Sequence, residues 1–166
     1  MQSIRMFLVL LVAFVLTIVP FAPIIALFRP SWVLLVLFYV HLYLPRYASI
    51  GLFFVIGLYL DVILSSVLGV HVLALLLVSW ITASTVRRVS FFSLGQQMLS
   101  VFLITVIYQV ILMVLDMGVG MAVYWLQAVT SAVSAMLLWP WIRYLLDRFL
   151  HANARKRSRY TTNPIV

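Results

Sequence analysis

Six times between Met6 and Leu146 the chain runs for 14 to 25 residues with at most one charged side chain in the run. A helix crossing about 30 Å of hydrocarbon needs about 20 apolar residues, so such runs read as membrane-spanning helices. The segments are Met6 to Leu27, broken by Pro20 and Pro23, then Ser31 to Leu44, Ala48 to Leu68, Val70 to Val86, Gln97 to Leu115 and Ala122 to Leu146. Alternating barrel patterning is absent: Leu34-Leu35-Val36-Leu37-Phe38 is apolar on every side, as a lipid-embedded helix is. The second segment, about 14 residues or about 21 Å of rise, is short. It is expected to begin earlier, to be shielded by neighbours, or to sit in thinned lipid.

Composition removes the competing classes. Only 8% of residues are charged and 66% are hydrophobic, whereas ordinary soluble chains carry roughly 25% charged residues. A net charge of +8 suggests nucleic acid, but too few polar residues remain to build a solvated basic face. Disorder is excluded by the same hydrophobicity. The absence of cysteine removes disulfides, thiolate-held metals and thiol catalysis, and leaves the redox compartment open.

Cation placement sets the expected topology. With a cytoplasmic amino terminus, the inner side receives Arg5, Arg46, Arg87, Arg88, Arg143, Arg148, Arg155, Lys156, Arg157 and Arg159, ten of the eleven basic residues, and only Arg29 lies outside. Positive charge is retained in the cytoplasm during insertion, so six spans with both termini inside are expected. Residues 1–150 then form one transmembrane domain and 151–166 a basic cytoplasmic tail, lying on the anionic inner leaflet. The Arg5-led first run resembles a signal peptide, but a small-x-small cleavage site is not evident around Ala22 and Ala26, so an uncleaved span is expected. Trp32 and Trp125 fall at expected outer ends, and Trp139 and Trp141 near the inner end of the sixth span, as headgroup anchors would.

Asp61 is the residue that most needs explaining. An ionisable group inside a span faces the bundle interior or a polar cavity, and Gly57, four residues earlier, shares its face and permits close backbone approach. Asp61 is either a ligand, proton or partner-helix site, or an interior carboxyl that fixes packing. Asp116 lies at the outer surface, where a solvated carboxylate is cheap, and Gln109 reads as an interhelical hydrogen bond. Ala128, Ser131, Ala132 and Ala135 form a small-residue stripe that lets helices approach, within this chain or with a partner. His41, His71 and His151 lack metal-site spacing, and the first two are expected to snorkel toward the interface. Serine-hydrolase and phosphate-loop signatures are missing from the sequence.

Arg29-Pro30-Ser31-Trp32 opens the second span, Gly57-x-x-x-Asp61 sits in the third, Leu68-Gly69 ends it, and Trp139-Pro140-Trp141 falls near the end of the sixth. In that order these motifs resemble the MreD family of rod shape-determining membrane proteins, over roughly Phe28 to Arg148. The chain departs from the family pattern at His71, where arginine is common. The resemblance implies a non-enzymatic inner-membrane component of the cell-wall elongation machinery, without cofactors. MreC would be its direct partner, with MreB, RodA and a penicillin-binding transpeptidase in the wider assembly. It also implies a fold similar to the substrate-binding subunits of energy-coupling-factor transporters.

The expected function is a scaffold that binds and positions the membrane helix of MreC. Pro30, Trp32, Gly57, Asp61, Gly69, Trp139, Pro140 and Trp141 are the structural or partner-binding candidates. Pro140 is expected to kink the last helix and open a polar notch one turn back. The rival is a small-molecule or lipid-binding transporter subunit, with Asp61, Tyr59, Gln109 and Ser131 as its interior polar groups. An intramembrane enzyme is the third reading, for which the sequence offers no nucleophile–base pair.

Overall fold

The computed structural model describes residues 2–19, 30–89, 93–118 and 125–160, with side chains over 4–19, 30–84, 93–118 and 125–150. Among the described residues the chain is all helical, as the apolar runs require: α1 (Gln2–Ile18), α2 (Trp32–Tyr43), α3 (Ile50–Ile63), α4 (Val70–Val89), α5 (Leu94–Gly118) and α6 (Trp125–Tyr160). The breaks at Pro20 and Pro23, Arg29, and the side chains of Arg87, Arg88, His151 and the basic tail lie outside the described residues. Two helices, Leu94–Gly118 and Trp125–Leu150, are long and apolar enough to cross a membrane by themselves; the other apolar helices are shorter.

The short second helix has a physical explanation. α2 buries ten of its twelve residues, Val33 to Leu42, because it packs against α1, α4, α5 and α6. Neighbouring helices shield it. Around this axis the chain folds as helical hairpins, with the most extensive contacts between α5 and α6 and between α3 and α4. The turn at Pro45-Arg46-Tyr47 leads to Ser49, whose hydroxyl caps α3 by accepting from the Leu52 N–H at 3.3 Å.

α6 runs unbroken through Pro140, and its backbone stays helical past residue 150 to Tyr160. The small-residue stripe faces inward: Ser131, Ala132 and Ala135 are fully buried within this chain, and lipid offers no hydrophobic drive that could replace such close packing.

The ends of the bundle differ in charge. Arg5 on α1 donates to the Phe149 carbonyl at 3.1 Å. Arg143 on α6 meets Gln97, near the start of α5, at 2.9 Å and lies 5.4 Å over the Tyr43 ring at the end of α2. Arg46 follows in the next turn, so Arg5, Arg46, Arg143 and Arg148 gather at one end. The α3–α4 turn and Asp116 lie at the other.

Candidate functional site

The far end is organised by Asp61, which is 1% exposed. α3 stops just beyond it in a Schellman closure. Ser65 adopts a left-handed φ of 51°, its N–H reaches the Val62 carbonyl at 3.4 Å, and the Ser66 N–H reaches the Asp61 carbonyl at 3.1 Å. Serine here occupies the position usually given to glycine. The chain then bends round the Asp61 carboxylate. Oδ1 accepts from the Ser66 hydroxyl at 3.0 Å and from the His71 N–H at 2.8 Å, and Oδ2 accepts from the Gly69 N–H at 2.8 Å. His71 Nδ1 stands 2.9 Å from Oδ1, and the carboxylate beside it makes Nδ1 the proton-bearing nitrogen.

Two glycines make this reversal possible. Gly69, at φ 105°, takes a conformation that a side chain disfavours, while having open space around it. Gly57 is limited by space instead: a Cβ there would lie 2.6 Å from the Val72 Cα and 2.9 Å from its nitrogen. The α3 and α4 backbones touch at that point, one turn from the carboxylate. Gly57, Asp61 and Gly69 thus belong to one device, joined by Ser66 and His71, whose part in it the sequence reading missed. His71 does not snorkel; its side chain is 12% exposed and tied to Asp61. His41 is also buried, edge-on to Phe53 at 5.6 Å. In both cases packing against a neighbouring helix outweighs access to the interface.

Beside His71 lies a hollow of about 220 Å³, lined in part by Pro30, Ser31, Trp32, Tyr108 and Gln109. Gln109 bridges three helices, donating from Nε2 to the Ser131 hydroxyl at 3.3 Å and to that of Ser31 at 3.4 Å. Tyr108 is buried, and no hydrogen bond to its hydroxyl occurs among the described residues. Tyr59 does not join this interior; it is half exposed, edge-on to Phe14 at 4.8 Å.

The tryptophans separate by helical phase. Trp139 is 0% exposed and packs edge-on to Phe38 of α2 at 5.2 Å, so it is a core residue and not a headgroup anchor. Trp141 is 71% exposed, because residues two apart on a helix point about 200° apart. Trp32 is partly buried in the core with its indole nitrogen enclosed, so its N–H is not wet as an anchor's would be. Trp125 is 70% exposed at the start of α6.

A second polar cluster, at the basic end, was not anticipated. Tyr39 donates to Asp147 Oδ1 at 2.5 Å, and both Tyr43 and Arg143 donate to Gln97 Oε1, at 3.1 and 2.9 Å. Arg143 Nε lies 3.8 Å from Asp147. Two i,i+4 pairs, Tyr39 with Tyr43 and Arg143 with Asp147, were the available signal.

Among the described residues no group of three or more His, Cys, Asp or Glu is placed to hold a metal. The fold and its polar centres define an all-helical protein, with two helices long and apolar enough to cross a membrane, whose interior hydrogen bonds join helix to helix. Residues 1–149 match the family described as rod shape-determining protein MreD. Rod shape-determining protein MreD of Haemophilus influenzae is 35% identical over 137 residues, covering 82% of this chain and 85% of that protein. This chain belongs to the MreD family. No solved structure matches it.

Proposed function

We propose that the chain is a non-enzymatic scaffold of the cell-wall elongation machinery in the inner membrane, crossing it six times with both termini in the cytoplasm. It binds the membrane helix of MreC, and through MreC supports the work of MreB, RodA and the elongation transpeptidase in lateral peptidoglycan synthesis. Membership of a shape-determining family supports the role in cell shape. The observation that carries the partner reading is a stripe on α6: Leu137, Trp141 and Tyr144, spaced four and three apart, are 62%, 71% and 60% exposed. Buried Trp139 fixes the phase of α6 against α2, and Trp141 is thereby turned outward. An exposed tryptophan on a rigid, apolar helix face is the kind of anchor on which binding energy concentrates.

Co-purification of MreC with wild type, Trp141→Ala and Asp61→Ala tests this reading. Trp141→Ala should recover several-fold less MreC at an unchanged level of the chain, whereas Asp61→Ala should lower the amount of folded chain itself. Undiminished recovery with Trp141→Ala removes this face from the interface.

The hollow beside His71 favours one second reading, a binding subunit for a small polar molecule, since Ser31, Tyr108 and Gln109 all line it. A compound retained through purification by wild type and lost on Gln109→Leu would support it. Wild type that retains no compound would count against it.

A further inference from the structure

An apolar hollow, larger than the one beside His71, lies elsewhere, toward the basic end. A furrow of about 310 Å³ runs between α1 and α6 with α2 as its floor; Leu8, Val12 and Leu16 form one wall, Leu145 and Phe149 the other, and Trp32 closes its far end. We infer that this furrow holds one acyl chain of an anionic phospholipid, whose headgroup rests on Arg5.

Three observations support that occupant. The first is size. From Leu8 to Leu16 the wall rises about 12 Å at 1.5 Å per residue, close to the roughly 15 Å hydrocarbon depth of one leaflet. The second is lining: every wall residue is apolar, so the furrow suits a hydrocarbon chain and offers nothing to a polar ligand. The third is charge. Arg5 sits one turn before Leu8, at the mouth of the furrow. Its guanidinium lies 5.9 Å from the Phe149 ring and gives one bond, of 3.1 Å, to the Phe149 carbonyl. A guanidinium carries five N–H donors, so this one bond leaves donors of the kind that phosphate oxygens accept from. Arg148 is at the same end, and α6 continues from there toward Arg155-Lys156-Arg157. A neutral acyl compound would use the furrow alone; an anionic phospholipid uses the furrow and the arginine together. This site does not depend on the MreC reading, which concerns the Trp141 face.

The test is lipid retention by the full chain, read by native mass spectrometry after exchange into detergent containing equal phosphatidylglycerol and phosphatidylcholine. Wild type should keep one phosphatidylglycerol with about fivefold preference, the effect expected of one arginine at an anionic headgroup. Arg5→Gln should bring that preference close to one. Val12→Trp, at a half-exposed wall position that tolerates bulk, should fill the furrow and reduce retention of both lipids, with the thermal midpoint unchanged. Equal retention of the two lipids by wild type, or a preference that survives Arg5→Gln, would overturn the proposal. So would a photoreactive side chain at Leu8 that, in cells, labels a polypeptide instead of lipid.

Discussion

The two polar centres of this bundle use similar groups in opposite ways. Around Asp61, every donor comes from a single reversal spanning residues 61 to 71, and two of the bonds come from backbone N–H groups. Around Asp147 and Gln97, the partners come from α2, α5 and α6 and meet through side-chain hydrogen bonds. The first centre is sealed, with Asp61 at 1% exposure. The second is open at its edge, where the side chains of Arg143 and Asp147 are 28% and 42% exposed. A sealed carboxylate that accepts backbone bonds holds a turn in shape, and its removal strands the donors with no water to replace it. Its edge keeps exchanging with water, so Arg143 and Asp147 are individually dispensable, whereas Tyr39 and Gln97, its inner members, are as buried as Asp61.

That contrast can be broken at its strongest point first. Asp61→Ala should cost about 3–5 kcal/mol, because it leaves the Gly69 and His71 N–H groups and the His71 ring without an acceptor. Thermal unfolding in detergent reads the loss, and Asp61→Asn, which keeps one acceptor oxygen, should recover part of it. Gly57→Ala should cost about 1–3 kcal/mol by forcing the α3 and α4 backbones apart, while Gly95→Ala, with open space around it, should be neutral or slightly stabilising. Gly69→Ala should cost about 1–2 kcal/mol through its positive φ alone. Smallest of all, Arg143→Gln should cost about 1 kcal/mol or less, and less again in high salt. An Arg143 effect as large as that of Asp61 would erase the distinction between the two centres.

The same contrast explains what could be read from the sequence. Asp61 announces itself as a lone charge in an apolar run, and Gly57, Gly69 and His71 are close enough in the chain to be linked to it. The pair Tyr39 and Asp147 is separated by 108 positions, and nothing local joins them. The tryptophans show a second limit. In water the inner face of a helix is marked by hydrophobic periodicity, but α2 and much of α6 are apolar all round, because lipid accepts the same side chains as the core. Trp139 and Trp141 therefore look alike in sequence, though one is core and the other surface. The short second span is a milder case. Its twelve residues look too few to cross a bilayer until the neighbours that enclose them are known.

The proposed division of labour is that interior polar groups hold the helices together and the outward face of α6 meets the partner. The absence of cysteine from the chain makes the direct test clean. Single cysteines are introduced as Leu137→Cys and Tyr144→Cys, which flank Trp141 on the exposed stripe and leave it in place, and as Ala135→Cys in the buried one, and each is coupled in cells to a photoreactive maleimide. The expected result is an MreC adduct from positions 137 and 144 and none from position 135. Adducts missing from both 137 and 144, while cysteines on other helices capture MreC, would contradict it.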